Sequence, residues 1–170
     1  GWAARTAYDS AGNIIAQWEV SHPVAYGYDT ANRKVSMRTF RGLNYVGAVP
    51  PETGGDLTQW LYDAATGLCT NKVYADGSRE SYTYTPEGRL LRTTHPGGKW
   101  KENLYDPVTG DLSGIVYSDD TPSVIYERDR LGRVVSFTDA SGANTFARSR
   151  DGAVLSESFR LQDETFTLHE

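Results

Sequence analysis

A chain of 170 residues, with 38% apolar and 23% charged residues, is long enough for one domain and demands no second. Its formal net charge of −5 argues against a nucleic-acid backbone as partner, and no run of lysine and arginine suits an anionic membrane surface. No apolar stretch reaches membrane-spanning length, and a single cysteine, Cys69, rules out an intramolecular disulfide.

Along the chain one short pattern keeps returning. Tyr8-Asp9 is followed by Gly12 and then the apolar Ile14. Tyr28-Asp29 repeats the opening, with Asn32 where glycine is due. Next, after an interval of 34 residues, comes Tyr62-Asp63 with Gly67. The clearest copy is Tyr84-Thr85-Pro86-Glu87-Gly88-Arg89-Leu90, and Tyr105-Asp106 with Gly110 and Leu112 follows it. Two further copies, Arg128-Asp129 with Gly132 and Arg148-Ser149 with Gly152, lack the tyrosine and read as degraded. Outside the long interval the spacing stays near 21 residues, so one supersecondary unit is being stacked.

The stretch around Tyr84 defines that unit. Ser81 to Thr85 alternates tyrosine with small hydroxyl residues, the period of a strand. Pro86-Glu87-Gly88 breaks it, Arg89 to His95 reads as a second strand, Pro96-Gly97-Gly98 breaks again, and Lys99 to Tyr105 reads as the next. Second turns of the same kind are predicted at Ala75-Asp76-Gly77-Ser78, Asp119-Asp120-Thr121-Pro122 and Asp139-Ala140-Ser141-Gly142. The motif aspartate can accept bonds from backbone N–H groups one or two residues on, and the glycine supplies a left-handed residue. Asn32 tolerates that conformation better than most residues. The tyrosine ring is expected to pack on the neighbouring unit. No segment carries a helical stripe. The fold expected is therefore all-β: an open antiparallel β-meander of about seven two-stranded units, with Tyr8, Tyr28, Tyr62, Tyr84 and Tyr105, the following Asp9, Asp29, Asp63, Asp106 and Asp129, and the turn glycines 12, 67, 88, 110, 132 and 152 as structural motif residues.

The long interval contains about a dozen extra residues, Gly42 to Gly55, rich in proline and glycine, which read as a loop inserted into a single array covering residues 1–170. The chain opens on Gly1-Trp2 without a signal peptide's regions, and copies begin almost at once, so a piece of a longer array is expected.

Spaced about 21 residues apart, Tyr-Asp-x-x-Gly-Arg-Leu resembles the YD repeat, also called the Rhs repeat; Tyr84 to Leu90 and Arg128 to Val134 match it best. Thr85, Arg128, Arg148 and Asn32 depart from it and are expected to weaken their own turns. The resemblance implies a long antiparallel sheet, twisted or spiralling, that in bacterial Rhs toxins, insecticidal toxin-complex shells and teneurins closes a hollow shell. It implies a secreted or cell-surface bacterial protein, partnered by the remaining repeats or a cargo domain of its parent chain.

Function is less legible. His22, His95 and His169 lie beside turns or at the terminus, without spacing for zinc or a triad, so neither catalytic residues, metal nor cofactor are expected. A structural, encapsulating, non-enzymatic segment is the first reading. The alternative is a module that binds carbohydrate or a cell-surface protein, for which Trp2, Trp18, Trp60 and Trp100 offer stacking faces; Trp60, beside the long loop, and Trp100, after Gly97-Gly98, are the candidates. For a glycosidase with paired carboxylates, two of the candidates, Asp119 and Asp120, are adjacent and so face opposite sides of a strand or sit in a turn, a poor geometry for joint catalysis. Exposed edge strands predict weak self-association.

Overall fold

The computed structural model describes residues 4–19, 22–41, 50–51, 53–161 and 164–169. It contains fifteen strands and, among the described residues, no helix. They are β1 (Arg5–Tyr8), β2 (Ile14–Trp18), β3 (Val24–Tyr28), β4 (Lys34–Thr39), β5 (Asp56–Tyr62), β6 (Cys69–Val73), β7 (Arg79–Tyr84), β8 (Leu90–Thr94), β9 (Trp100–Tyr105), β10 (Leu112–Tyr117), β11 (Val124–Arg128), β12 (Val134–Asp139), β13 (Gly142–Arg148), β14 (Val154–Leu161) and β15 (Glu164–His169). Sheet order equals chain order and the sheet is open, with β1 and β15 as its ends, so the antiparallel meander expected from the repeat is what forms. Short turns favour this order: apart from residues 40–55 between β4 and β5, the connections run two to six residues, too short for the crossover that parallel neighbours need.

The chain divides into two compact units, residues 1–82 and 83–170. In the first, β4 pairs directly with β5, Met37 opposite Thr58 and Thr39 opposite Asp56, although residues 40–55 lie between them. Of the predicted inserted loop, residues 42–49 and 52 fall outside the described residues, as does Trp2. The second unit runs from β8 to β15, with Ile115 opposite Asn103 and Phe137 opposite Asn144.

Very little is fully buried. Among the described residues, Ala16, Trp18, Pro23, Phe40, Pro50, Thr93 and Gly114 are the buried ones, and most strand positions are half-exposed. A single-layer sheet cannot draw its stability from a thick core, so its cohesion rests on the backbone ladder and on side chains that reach from one hairpin to the next.

Candidate functional site

The motif hairpins are built alike. In the first, the Asp9 amide donates to the Asn13 carbonyl at 2.9 Å and the Gly12 amide to the Asp9 carbonyl at 3.1 Å. The same pair of bonds closes the copies at Asp29, Thr85, Asp129 and Ser149. The residue before the turn sits at a bulge: register shifts occur at Tyr8, Tyr28, Tyr62, Arg128 and Arg148. A tight turn ending in a left-handed residue that forms a bulge is a favoured hairpin geometry, and it explains why glycine recurs. Asn32 takes the same place with φ of 58°, as its ability to adopt left-handed backbone predicts. At Asp63 and Asp106 the turn is one residue longer, and a threonine, Thr66 or Thr109, gives its amide to the carboxylate at 2.7 Å.

In five copies the first motif residue links its hairpin to the one before it. Tyr28 donates its hydroxyl to the Ile14 carbonyl at 2.9 Å, Tyr62 to Lys34 at 2.7 Å and Tyr105 to Leu90 at 2.7 Å. Each acceptor is the residue two places after the turn residue of the preceding copy. Arg128 and Arg148 do the same: Arg128 Nη2 reaches the Leu112 carbonyl at 3.2 Å and Arg148 Nε the Val134 carbonyl at 3.1 Å. Each also donates to its own turn, to Gly132 at 2.9 Å and Gly152 at 3.2 Å. The expectation that these two copies are degraded is therefore corrected. A guanidinium is as long as a phenol and carries more donors, so one arm reaches the previous hairpin while another closes its own turn.

The residue after the turn glycine reaches the opposite way. Arg33 Nε binds Asp29 at 2.8 Å, its Nη1 meets the Gly67 carbonyl of the next copy at 3.3 Å, and its guanidinium lies 4.6 Å from the Tyr62 ring centroid. Arg133 binds Asp129 at 2.6 Å and the Ser149 carbonyl at 3.4 Å. Asn13 is a neutral version, bonded to Asp9 at 2.9 Å and to Asn32 at 3.1 Å. These contacts hold the Asp29 carboxyl below the usual carboxylate range, through the Arg33 amide and then its guanidinium. Asp9 is lowered by the Asn13 side chain; at Asp129 desolvation opposes the shift, but the Arg133 contacts outweigh it.

Leu68 follows Gly67 where an arginine would stand, and two other junctions also depart from this plan. Arg89 stacks 4.7 Å from the Tyr105 centroid and donates to the Gly110 carbonyl, but Thr85 stands where its aspartate should be. Arg89 Nε is consequently buried without a partner, and Nη2 settles for Glu87 at 3.2 Å. At the following junction Asp111 replaces the arginine altogether. A cleft of ≈ 230 Å³ opens there, lined in part by Asp106, Asp111, Arg128 and Asp129, with the Arg128 guanidinium bonded to the Leu112 and Gly132 carbonyls.

The tryptophans are not brought together. Trp18 is buried. Trp60 lies on β5, two residues before Tyr62 and so on the same face as that tyrosine; Trp100 lies on β9, five residues before Tyr105, on the face away from it. The Arg92 guanidinium, itself bound to Glu102 at 2.7 Å, stacks 4.1 Å from the Trp100 ring centroid. Lys34 and Lys72 flank Trp60 at 5.5 and 5.9 Å. Asp119 is tied to Lys99 at 2.8 Å and to the Thr121 amide. Sequence reasoning missed the forward-reaching arginines, although their fixed place in Gly-Arg-Leu was the signal.

Residues 62–99 match the family model of the RHS Repeat, covering the hairpins that begin at Tyr62 and Tyr84. The resemblance read from the motif holds over this segment. No curated protein matches the chain. Among solved structures, it is similar to a chain of TcdB2-TccC3-Cdc42, with 17% identity over 92% of this chain and 10% of that one, TM-score 0.46. A Tc holotoxin pore of Photorhabdus luminescens carrying a mutant TccC3 gives 18% identity over 87% and 9%, TM-score 0.47. TcdB2-TccC3 gives 16% over 92% and 11%, TM-score 0.48. The chain thus spans about a tenth of the length of the solved chains it matches.

Proposed function

We propose that this RHS-repeat chain is a non-enzymatic wall segment of a larger secreted or cell-surface bacterial protein, its partners being further repeats and a cargo domain of the same parent. One observation carries the reading. The motif side chains are committed to joining one hairpin to the next, Tyr28, Tyr62, Tyr105, Arg128 and Arg148 backward and Arg33, Arg89 and Arg133 forward. Residues placed for cohesion between units are what an extended wall needs, and stability in such arrays is a sum of nearest-neighbour terms. The secreted setting and the cargo follow from the RHS-repeat likeness and belong to the same proposal.

The test is the gene around this stretch. Further copies on both sides, followed by a carboxy-terminal domain of unrelated sequence, are expected. In that parent the carboxy-terminal domain should resist protease until the repeats are denatured. A reading frame closing near Glu170 behind its own secretion signal would overturn the wall reading.

A further inference from the structure

Two of the motif hairpins carry a hydroxyl where the others carry a carboxylate, at Thr85 and at Ser149. At Ser149 nothing is left wanting. Its hydroxyl bonds Asp151 and lies 3.2 Å from the Ala153 carbonyl, and Ala153 itself stands where a forward arginine would be. Thr85 is different. Its hydroxyl accepts the Arg89 amide at 3.3 Å and donates to the Glu87 carboxylate, while Arg89 Nε is buried without a partner.

The intact hairpins show what belongs there. Asp29 Oδ2 takes Arg33 Nε at 2.8 Å, and Asp129 Oδ2 takes Arg133 Nε at 2.6 Å. Threonine stops one atom short of such an oxygen, because its Oγ1 falls where aspartate has Cγ. A phosphate ester on Oγ1 supplies the missing layer, with three acceptor oxygens around the phosphorus. Arg89 is also the forward link of its junction, 4.7 Å from the Tyr105 centroid and bonded to the Gly110 carbonyl. A group that fixes its guanidinium therefore fixes the joint between the hairpins at Thr85 and Asp106. Access is available as well: Thr85 is half-exposed, and Pro86, Glu87 and Gly88 beside it are exposed. Thr85-Pro86 is, besides, the dipeptide that proline-directed protein kinases select.

We propose that Thr85 is a phosphorylation site, and that its phosphate locks Arg89 across the junction. The Thr85 Oγ1 forms a bond to the γ-phosphorus of ATP as the bond to the leaving ADP breaks. The hydroxyl proton passes to the catalytic base of a Ser/Thr protein kinase, which brings the Mg-bound ATP. The phosphate then accepts Arg89 Nε and Nη2 as a charge-assisted pair. Glu87, whose side chain is 62% exposed, gives up Nη2 and turns to solvent. A free phosphate ion is a poorer fit, because Nε is closed to solvent and only a group tethered at residue 85 meets it from within the turn. With ATP as donor, the transfer belongs inside a cell, before any export. The inference goes beyond the wall reading and does not depend on it.

The experiment has two arms. The full chain is incubated with Mg-ATP and a proline-directed Ser/Thr kinase, and mass spectrometry places the phosphate. A phosphate on Thr85, lost in Thr85→Val, is expected. In the second arm the full chain is made with phosphothreonine encoded at position 85 and titrated by phosphorus NMR. Its second pKa should lie about half a unit to one unit below that of the same chain unfolded in urea, drawn down by the guanidinium. A folded value below the unfolded one means a gain in Tm that is present above about pH 6 and lost as pH falls through the folded pKa. Arg89→Gln should abolish both the lowered pKa and the gain. Arg92→Gln, which removes the same charge three residues on, should leave both, and circular dichroism of each variant checks the sheet. No phosphate on Thr85 overturns the proposal. So does a phosphate with the same pKa folded and unfolded, or a lowered pKa that survives Arg89→Gln.

Discussion

Thr85→Asp should stabilise the protein. In the hairpins at Asp29 and Asp129 the carboxylate accepts two backbone amides and the arginine Nε. In the hairpin at Thr85 the hydroxyl takes only the Arg89 amide, at 3.3 Å, and Arg89 Nε is left buried and unbonded. A hydrogen bond between charged groups contributes about 1.5–3 kcal/mol, and the Arg89 side chain, 36% exposed, should yield only the lower part of that. Against it, Glu87 loses the hydroxyl that now lowers its pKa and gains a like-charged neighbour, a repulsion that solvent screens at this exposed carboxylate. The net is about 1 kcal/mol, which for a chain of this size raises Tm by about 2–4 °C. Thermal melting reads the sum, and hydrogen exchange at the Gly88 amide, bonded to the Thr85 carbonyl at 2.9 Å, reads the local part. The gain should grow in Thr85→Asp/Glu87→Ala, where the repulsion is gone, and Asp129→Thr should lose a similar amount. A Tm unchanged or lowered in both the single and the double variant would refute the reasoning.

Arg128→Tyr should be nearly neutral in a melt, because a phenol makes the Leu112 bond elsewhere made by tyrosine, while Arg128→Ala should cost about 1–2 kcal/mol by removing two bonds. Gly110→Ala should cost more than Gly77→Ala in denaturant titration: both have positive φ, but a Cβ at 110 would strike the Arg89 guanidinium and one at 77 meets nothing within 4 Å. The turn carboxyls of Asp9, Asp29, Asp63 and Asp106 have folded pKa values below their unfolded ones, so their stabilisation is present above about pH 4 and is lost as pH falls through the folded values; an acid titration of Tm should drop there and not in the alkaline range. The 170-residue chain studied by itself should self-associate reversibly through the outer edges of β1 and β15, and a clean monomer across a concentration series in the ultracentrifuge would count against it.

The strands, the order of turns and the left-handed residues, Asn32 among them, were legible because each rests on local chemistry: alternation, proline and glycine breaks, and the carboxylate at a turn. What reaches across hairpins was not. Arg128 and Arg148 read as failed tyrosines because residue identity hides that a guanidinium and a phenol end at the same distance from the backbone. The orphaned Arg89 Nε depends on Thr85 being one functional group short, which only the position of Arg33 beside Asp29 makes apparent. The stacking role expected of Trp60 and Trp100 was drawn from residue type alone. Sequence carries no sign that Arg92 covers one ring or that two lysines bracket the other.

Where a backward donor and a forward arginine both stand at their fixed places, as around Arg33 with Tyr62 and Arg133 with Arg148, the junctions are interchangeable halves. An unequal crossover between two copies of the coding sequence, wherever it falls within the unit, would splice a complete backward half to a complete forward half. The array could then lengthen or shorten only by whole hairpins, about 9–10 Å of sheet width at a time. Leu68 and Asp111 hold the forward arginine's place in two other units. A crossover at either would join a backward donor to no forward partner, so exchange should be confined to the junctions that keep both halves, with these two as fixed seams in the tract.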